Sequence, residues 1–243
     1  MDHLLLSDDE VNFLIEKTES LIKENKISQA QLCLNQIIET TAPKSDYVFL
    51  LRASTYSSLG NWQDAINDIR QAIKLNPDDS SNYMNLGANL TFQLFQSKPH
   101  RLCDHRTIIE EILDLYTECL KRDPANKIAW FNSAETHLFL RQWDDAIAIY
   151  AQCRPYVTDI SSQITHAWLG CLAFALCGDA ILKEDSQLLY DQSIRFPEDF
   201  HDTSQIDYLL AELQDDGFDP DKLAQARHIH EEFLNHFDDQ DHD

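Results

Sequence analysis

Between Asp46 and Pro77, small and apolar residues recur at helical spacing on either side of a Gly60-Asn61 break. The run reads Leu51-Arg52-Ala53, Tyr56, Leu59-Gly60-Asn61-Trp62, Ala65-Ile66, Ala72-Ile73 and Leu75-Asn76-Pro77, and Pro77 stops the second helix. A second segment opens with Tyr83, Leu86-Gly87 and Leu90 and closes with Tyr116, Cys119-Leu120 and Asp123-Pro124. A third carries Trp130, Ala134, Leu140, Trp143, Ala146-Ile147, Tyr150 and Cys153. Helices paired in this way leave an apolar face that one pair cannot cover alone, so the pairs must stack. Only 5 Gly and 7 Pro interrupt 243 residues, which argues against a β-rich or α/β enzyme.

Small residues (Ala53, Gly87 and Ala134 in first helices, Ala65, Ala72 and Ala146 in second ones) let helices approach closely, while Tyr56, Trp130 and Tyr150 fill the space to the next pair. Antiparallel pairs of about 34 residues with these positions resemble the tetratricopeptide repeat. The resemblance is carried by residues 46–197 and implies an all-α, right-handed α-solenoid of about ten to twelve helices. It implies a binding surface and names no ligand. Val11 to Lys44 keeps the spacing in divergent form (Leu14, Thr18, Leu21, Asn25, Ala30, Leu34, Ile37), so 1–45 reads as an N-terminal helix pair. Residues 46–160 read as the repeats proper, 161–197 as a degenerate pair around Cys177-Gly178-Asp179, and 198–243 as acidic capping helices and a tail, split at Asp216-Gly217-Phe218-Asp219-Pro220. The second repeat is too long between Gly87 and Pro124. The surplus, near 95–107, is expected to bulge as a surface loop, and its cations Lys98, Arg101 and Arg106 stand out in an acidic chain.

In this family the first helix of each pair lines the concave side. The inward places would be Tyr47, Leu50, Ser54, Ser57 and Ser58, then Ser81, Met84, Ala88, Thr91 and Phe92, then Ile128, Phe131, Glu135, Leu138 and Phe139. Such a groove is largely apolar, with Glu135 as its charge, and an uncovered patch of that kind marks a binding site unless C-terminal helices cover it. The sixth place is Asn in two successive repeats, Asn85 and Asn132, but Leu51 and Leu169 on either side. In the repeat superhelix of O-linked GlcNAc transferase, Asn at that place hydrogen-bonds an extended peptide backbone, since an amide both donates and accepts. The expected peptide-binding residues are Leu50, Met84, Asn85, Phe92, Phe131, Asn132, Glu135 and Phe139. The carboxylate clamp used for heat-shock chaperone tails needs cations that are missing here: its places hold Leu50, Ser54, Asn85, Ile128 and Asn132.

No nucleophile motif or glycine-rich phosphate loop appears, so no enzyme and no cofactor is expected. His100-x-x-Cys103-x-His105 and the four-spaced His228, Glu232 and His236 are the two conceivable metal clusters; neither has enforced zinc spacing, and no metal is expected. Asp and Glu number 42 against 19 Lys and Arg, a formal net charge of −23, which repels nucleic acid and anionic lipid. No apolar run nears the roughly 18–20 residues that span a bilayer. The start reads as no secretory signal, and scattered cysteines read as thiols of a cytoplasmic protein. From Glu198 to Asp243 there are 15 acidic and 2 basic residues. The expectation is a non-enzymatic adaptor or chaperone-like module, monomeric or weakly dimeric, that holds a protein or peptide in its groove. The alternative is an acidic-face binder or inhibitor of a basic protein, carried by 198–243.

Overall fold

The structure, a computed structural model, describes residues 6–41, 45–178 and 204–238. Among them are eleven α-helices and no strand. The chain divides into two compact units, Met1–Ser97 and Lys98–Asp243.

In the first unit α1 (Asp8–Lys23) pairs with α2 (Ile27–Thr41), α3 (Asp46–Ser58) with α4 (Trp62–Leu75), and α5 (Ser80–Gln96) packs on α4. Side chains at the helix starts satisfy the amides that an α-helix leaves open. Ser7 and Glu10 form a reciprocal capping box, and the hydrogen bonds from Ser7 hold the Glu10 carboxyl below its ordinary range. Ser45 and Asp79 cap α3 and α5 by accepting from Tyr47 N–H and Ser81 N–H. The core of the first pair is Leu14, Leu21, Ala30, Leu34 and Ile37, closed by Val48 of α3. The divergent segment is therefore a packed helix pair.

In the second unit α6 (Arg106–Arg122) packs on α7 (Lys127–Phe139), α7 on α8 (Trp143–Cys153), and α8 on α9 (Ile160–Cys177). Two further helices follow, α10 (Ser204–Asp215) and α11 (Pro220–Asp238). The second helix expected after Gly178 lies outside the described residues. α9 is apolar nearly all round, and Ile164, Leu172 and Leu176 are fully buried. It needs cover on several sides, and α11 supplies one: Trp168 stacks on Phe233 at 4.3 Å and on His230 at 5.8 Å. Lys222 of α11 donates to Cys177 O at 2.7 Å, a cation at the negative end of α9.

His230 is buried, and among the described residues neither ring nitrogen has a well-aligned hydrogen-bond partner. Asp207 of α10 lies 3.3 Å from Nε2 without hydrogen-bonding alignment, and Glu231 is the next charge. Burial outweighs both carboxylates and holds the imidazole pKa below 6.5. The unfolded chain therefore binds this proton more readily, and stability present above about pH 6.5 falls as the solution is acidified. Melts at pH 7.5 and 5 should show a larger loss for wild type than for His230→Phe; equal losses would assign the acid sensitivity elsewhere.

Several inter-helix turns end in a left-handed residue. Gly60 (φ 73°), Gly178 (φ 92°) and Gly217 (φ 69°) suit such a position, but Asn25 (φ 56°), Lys98 (φ 49°) and Arg141 (φ 58°) hold it with a side chain. At Asn25, Gly60, Arg141 and Gly217 the same pair of backbone bonds closes the helix end. Asn61 N–H, for example, reaches Tyr56 O at 2.9 Å, and Gln142 N–H reaches His137 O at 2.9 Å.

Candidate peptide-binding site

The residues expected to line a groove fall in both units, and each unit presents its own first-helix face. In the first unit α3 is fixed between its neighbours by a charge pair. Arg52 donates to both carboxylate oxygens of Asp68 on α4, each at 2.7 Å, and to Asn35 Oδ1 on α2 at 2.9 Å. Asp68 is buried, and its hydrogen bonds raise the Arg52 pKa further. α3 and α5 meet through Ser57, whose hydroxyl donates to Asn89 Oδ1 at 2.6 Å; Asn89 Nδ2 in turn donates to Asn85 O at 2.9 Å. This sets Asn85 beside the α3–α5 seam.

Leu50, Met84 and Asn85 are half-buried on these helices. Phe92 is 43% exposed and stacks on Trp62 at 5.1 Å, with planes 17° apart. Tyr47 is also 43% exposed, and its hydroxyl donates to Glu19 of α1 at 2.6 Å, which raises the phenol pKa. Glu19 thus adds a carboxylate beside a face expected to be almost uncharged. Leu51, at the sixth place of α3, packs against the core of the first pair.

In the second unit Phe131, Asn132 and Glu135 are half-buried on α7, and Thr136 Oγ1 donates to Asn132 O at 2.6 Å. Phe139 does not face an open groove: it is 6% exposed, and Leu138 beside it is fully buried. Their helix positions point inward as the repeat geometry requires, but the packed unit has closed over them. Phe131 and Ala134 border an apolar crevice with Tyr150 and Cys153 of α8 and His166 and Leu169 of α9. His166 Nε2 donates to Tyr150 O at 2.9 Å, and the two rings stack at 4.0 Å. Burial pushes the Cys153 thiol up to about 12, so it is a packing residue and not a nucleophile. Leu169, the other departure from Asn at the sixth place, is buried. Asn85 therefore falls in the first unit and Asn132 in the second.

The surplus segment near 95–107 is not a free bulge. Leu102 is buried, and residues Leu102–His105 form a 3-10 turn. Glu212 of α10 accepts from Leu102 N–H, from Cys103 N–H at 3.4 Å and from Arg141 Nη2 at 2.8 Å. Asp216 accepts from Arg101 and from Arg141, each at 2.7 Å, and Arg141 holds the Asp216 carboxyl below its ordinary range. Arg106 pairs with Glu110 on its own helix at 2.8 Å. Two of the three conspicuous cations are thus matched within the unit: Arg101 by Asp216 of the C-terminal region and Arg106 by Glu110. Arg141 and Glu212 were not singled out by sequence; the signal available was Arg141 standing where the first full repeat has Gly60.

No three His, Cys, Asp or Glu side chains among the described residues converge as a metal site. No described helix is long and apolar enough to cross a membrane.

A family model described as tetratricopeptide repeat matches residues 47–79. No curated protein matches the chain in sequence. Among solved structures, MamA (41-end) from Desulfovibrio magneticus RS-1 is similar over 75% of this chain and 93% of its own, with a TM-score of 0.59 at 12% identity. YrrB, described as a TPR protein with an unusual peptide-binding site, is similar over 72% of this chain and 81% of its own, with a TM-score of 0.56 at 12% identity. TTC0263, a thermophilic TPR protein of Thermus thermophilus, is similar over 92% of this chain and 99% of its own, with a TM-score of 0.53 at 13% identity. At these identities the likeness is one of fold. Residues 47–79 thus match a tetratricopeptide repeat, and the chain shares the helix-pair fold of these repeat proteins.

Proposed function

We propose that the protein is a non-enzymatic interaction module that holds an extended segment of a partner protein on its first-helix faces. The observation that carries this reading is the uncovered row on α3 and α5. Tyr47 and Phe92 are exposed large side chains, with half-buried Leu50, Met84 and Asn85 on the same two helices. Apolar rings supply contact area there, and the Asn85 amide can both donate to and accept from a peptide backbone whatever its sequence. Phe131, Asn132 and Glu135 offer a comparable, smaller set on α7. The peptide-binding site named for YrrB supports the same use of this fold. The cysteine thiols fit a reducing cytoplasm.

The acidic-face alternative loses two of its carboxylates, since Glu212 and Asp216 are engaged within their own unit. The two readings differ in salt response: apolar contact persists as ionic strength rises, whereas charge pairing weakens. The test is binding of a random-sequence peptide library to wild type and to Asn85→Ala/Phe92→Ala/Phe131→Ala/Asn132→Ala, at low and high salt. Selected peptides should lose about tenfold or more in affinity with the variant and keep it in salt. Peptides that bind both proteins equally and are released by salt would overturn the groove reading.

A further inference from the structure

The charged contact between α10 and the turn before α6 has the composition of a recognition site. Four donors converge on two carboxylates set one helical turn apart. Leu102 N–H, Cys103 N–H and Arg141 take Glu212, and Arg141 and Arg101 take Asp216. Glu212 is buried, with its side chain only 4% exposed, while Asp216 and Arg101 keep part of their surface in water. The four apolar residues Ile206, Leu209, Leu210 and Leu213 of the same helix are buried beside this contact. The helix that fills the site is thus amphipathic and acidic, and it comes from about 110 residues further along the chain.

Local strain points the same way. Arg141 occupies a left-handed turn position that Gly60 fills in the first full repeat. A non-glycine residue is strained there, because its Cβ crowds the following carbonyl. What the Arg141 side chain gains is the pair of carboxylates, Glu212 and Asp216. The surplus segment likewise contributes two successive backbone N–H groups, those of Leu102 and Cys103, to the Glu212 carboxylate.

We propose that Arg101, Arg141 and the Leu102–Cys103 amides form a receptor site for an acidic amphipathic helix with two carboxylates one turn apart, and that α10 occupies it in cis as a displaceable latch. An acidic helix of a partner protein reaches the site by competing with α10. This is a second binding surface, independent of the first-helix faces, and its specificity is opposite to what the net charge of −23 suggests. The acidic helix α10 shields the cationic site until a better acidic helix replaces it. Charge-assisted bonds of this kind fix orientation and register, while the buried leucines supply area.

The test uses the full chain and a fluorescein-labelled peptide of residues 204–219 as probe. The Glu212→Gln/Asp216→Asn chain, in which the latch is weakened, should bind the probe saturably and at least about tenfold more tightly than wild type, whose site is filled. Adding Arg141→Gln should abolish that binding, and so should placing the two acidic substitutions in the probe instead. No binding by the weakened chain, or binding indifferent to Arg141→Gln, overturns the proposal. If the double substitution unfolds the unit, wild-type amide exchange replaces it. In about 1 M salt, exchange at Leu102, Cys103 and α10 should accelerate together by about tenfold while α7 stays protected. Unchanged protection at those amides overturns the proposal equally.

Discussion

Asp68→Ala should destabilise the N-terminal unit by about 3 kcal/mol, the penalty typical of removing one partner from a buried charge pair. The carboxylate is 6% exposed at its side chain, and Arg52, at 18%, would be left facing a void with two of its donors unmatched. Asn35 and the Tyr56 ring, 5.6 Å from the guanidinium, would remain but cannot neutralise it. The measurement is local amide exchange, which should accelerate by about two orders of magnitude in α2, α3 and α4 for a loss of that size. The pair variant Arg52→Met/Asp68→Leu should cost far less, because both charges leave together and the site keeps its volume. If Asp68→Ala exchanges like wild type, α3 is held by apolar packing and the ion pair is incidental.

Gly170→Ala is the second large effect, and its sign runs against helix propensity. Alanine is favoured over glycine in a helix interior by about 1 kcal/mol. At this position, however, a Cβ would sit 2.5 Å from Tyr150 Cε2 and 2.6 Å from Cδ2. The Tyr150 ring cannot retreat easily, since it stacks on His166 at 4.0 Å and meets the edge of Phe174 at 5.8 Å. We expect a net loss of about 2–3 kcal/mol in urea unfolding followed by Trp168 fluorescence. Shrinking the obstacle with Tyr150→Leu should recover part of it, giving a coupling of about 1 kcal/mol or more in a double-mutant cycle. Gly217→Ala is the contrast: no atom of the described residues lies within 4 Å of an added Cβ, and its φ of 69° opposes a side chain at a cost of roughly 1 kcal/mol. If both alanines cost the same, the close approach of Tyr150 to α9 is not the reason for Gly170.

Sequence reading reached as far as local periodicity does. The helix pairs at 46–79 and 127–160 were legible because small and large residues recur at i, i+3 and i+4, and because Gly60 and Pro77 mark a turn and a stop. The divergent pair before residue 45 was legible for the same reason, although its turn residue is Asn25. Gly217 and Pro220 announced the break between α10 and α11. The expected peptide-binding positions were assigned by helix register, which says which way a side chain points and not what lies over it. Leu50, Met84, Asn85, Phe131, Asn132 and Glu135 came out half-buried and Phe92 exposed, but Phe139 came out buried.

What only the tertiary structure decided are the contacts between residues distant in the chain. Register could not show that Glu212 would accept from Leu102 and Arg141, or that Arg101 of the surplus segment would meet Asp216 of the C-terminal region. It could not show that Asp68 would be buried against Arg52, or that Gly170 would carry the Tyr150 ring. A helix period records which residues share a face over one or two turns. Which faces then meet depends on how separate pairs stack and on burial, and neither leaves a repeat in the sequence.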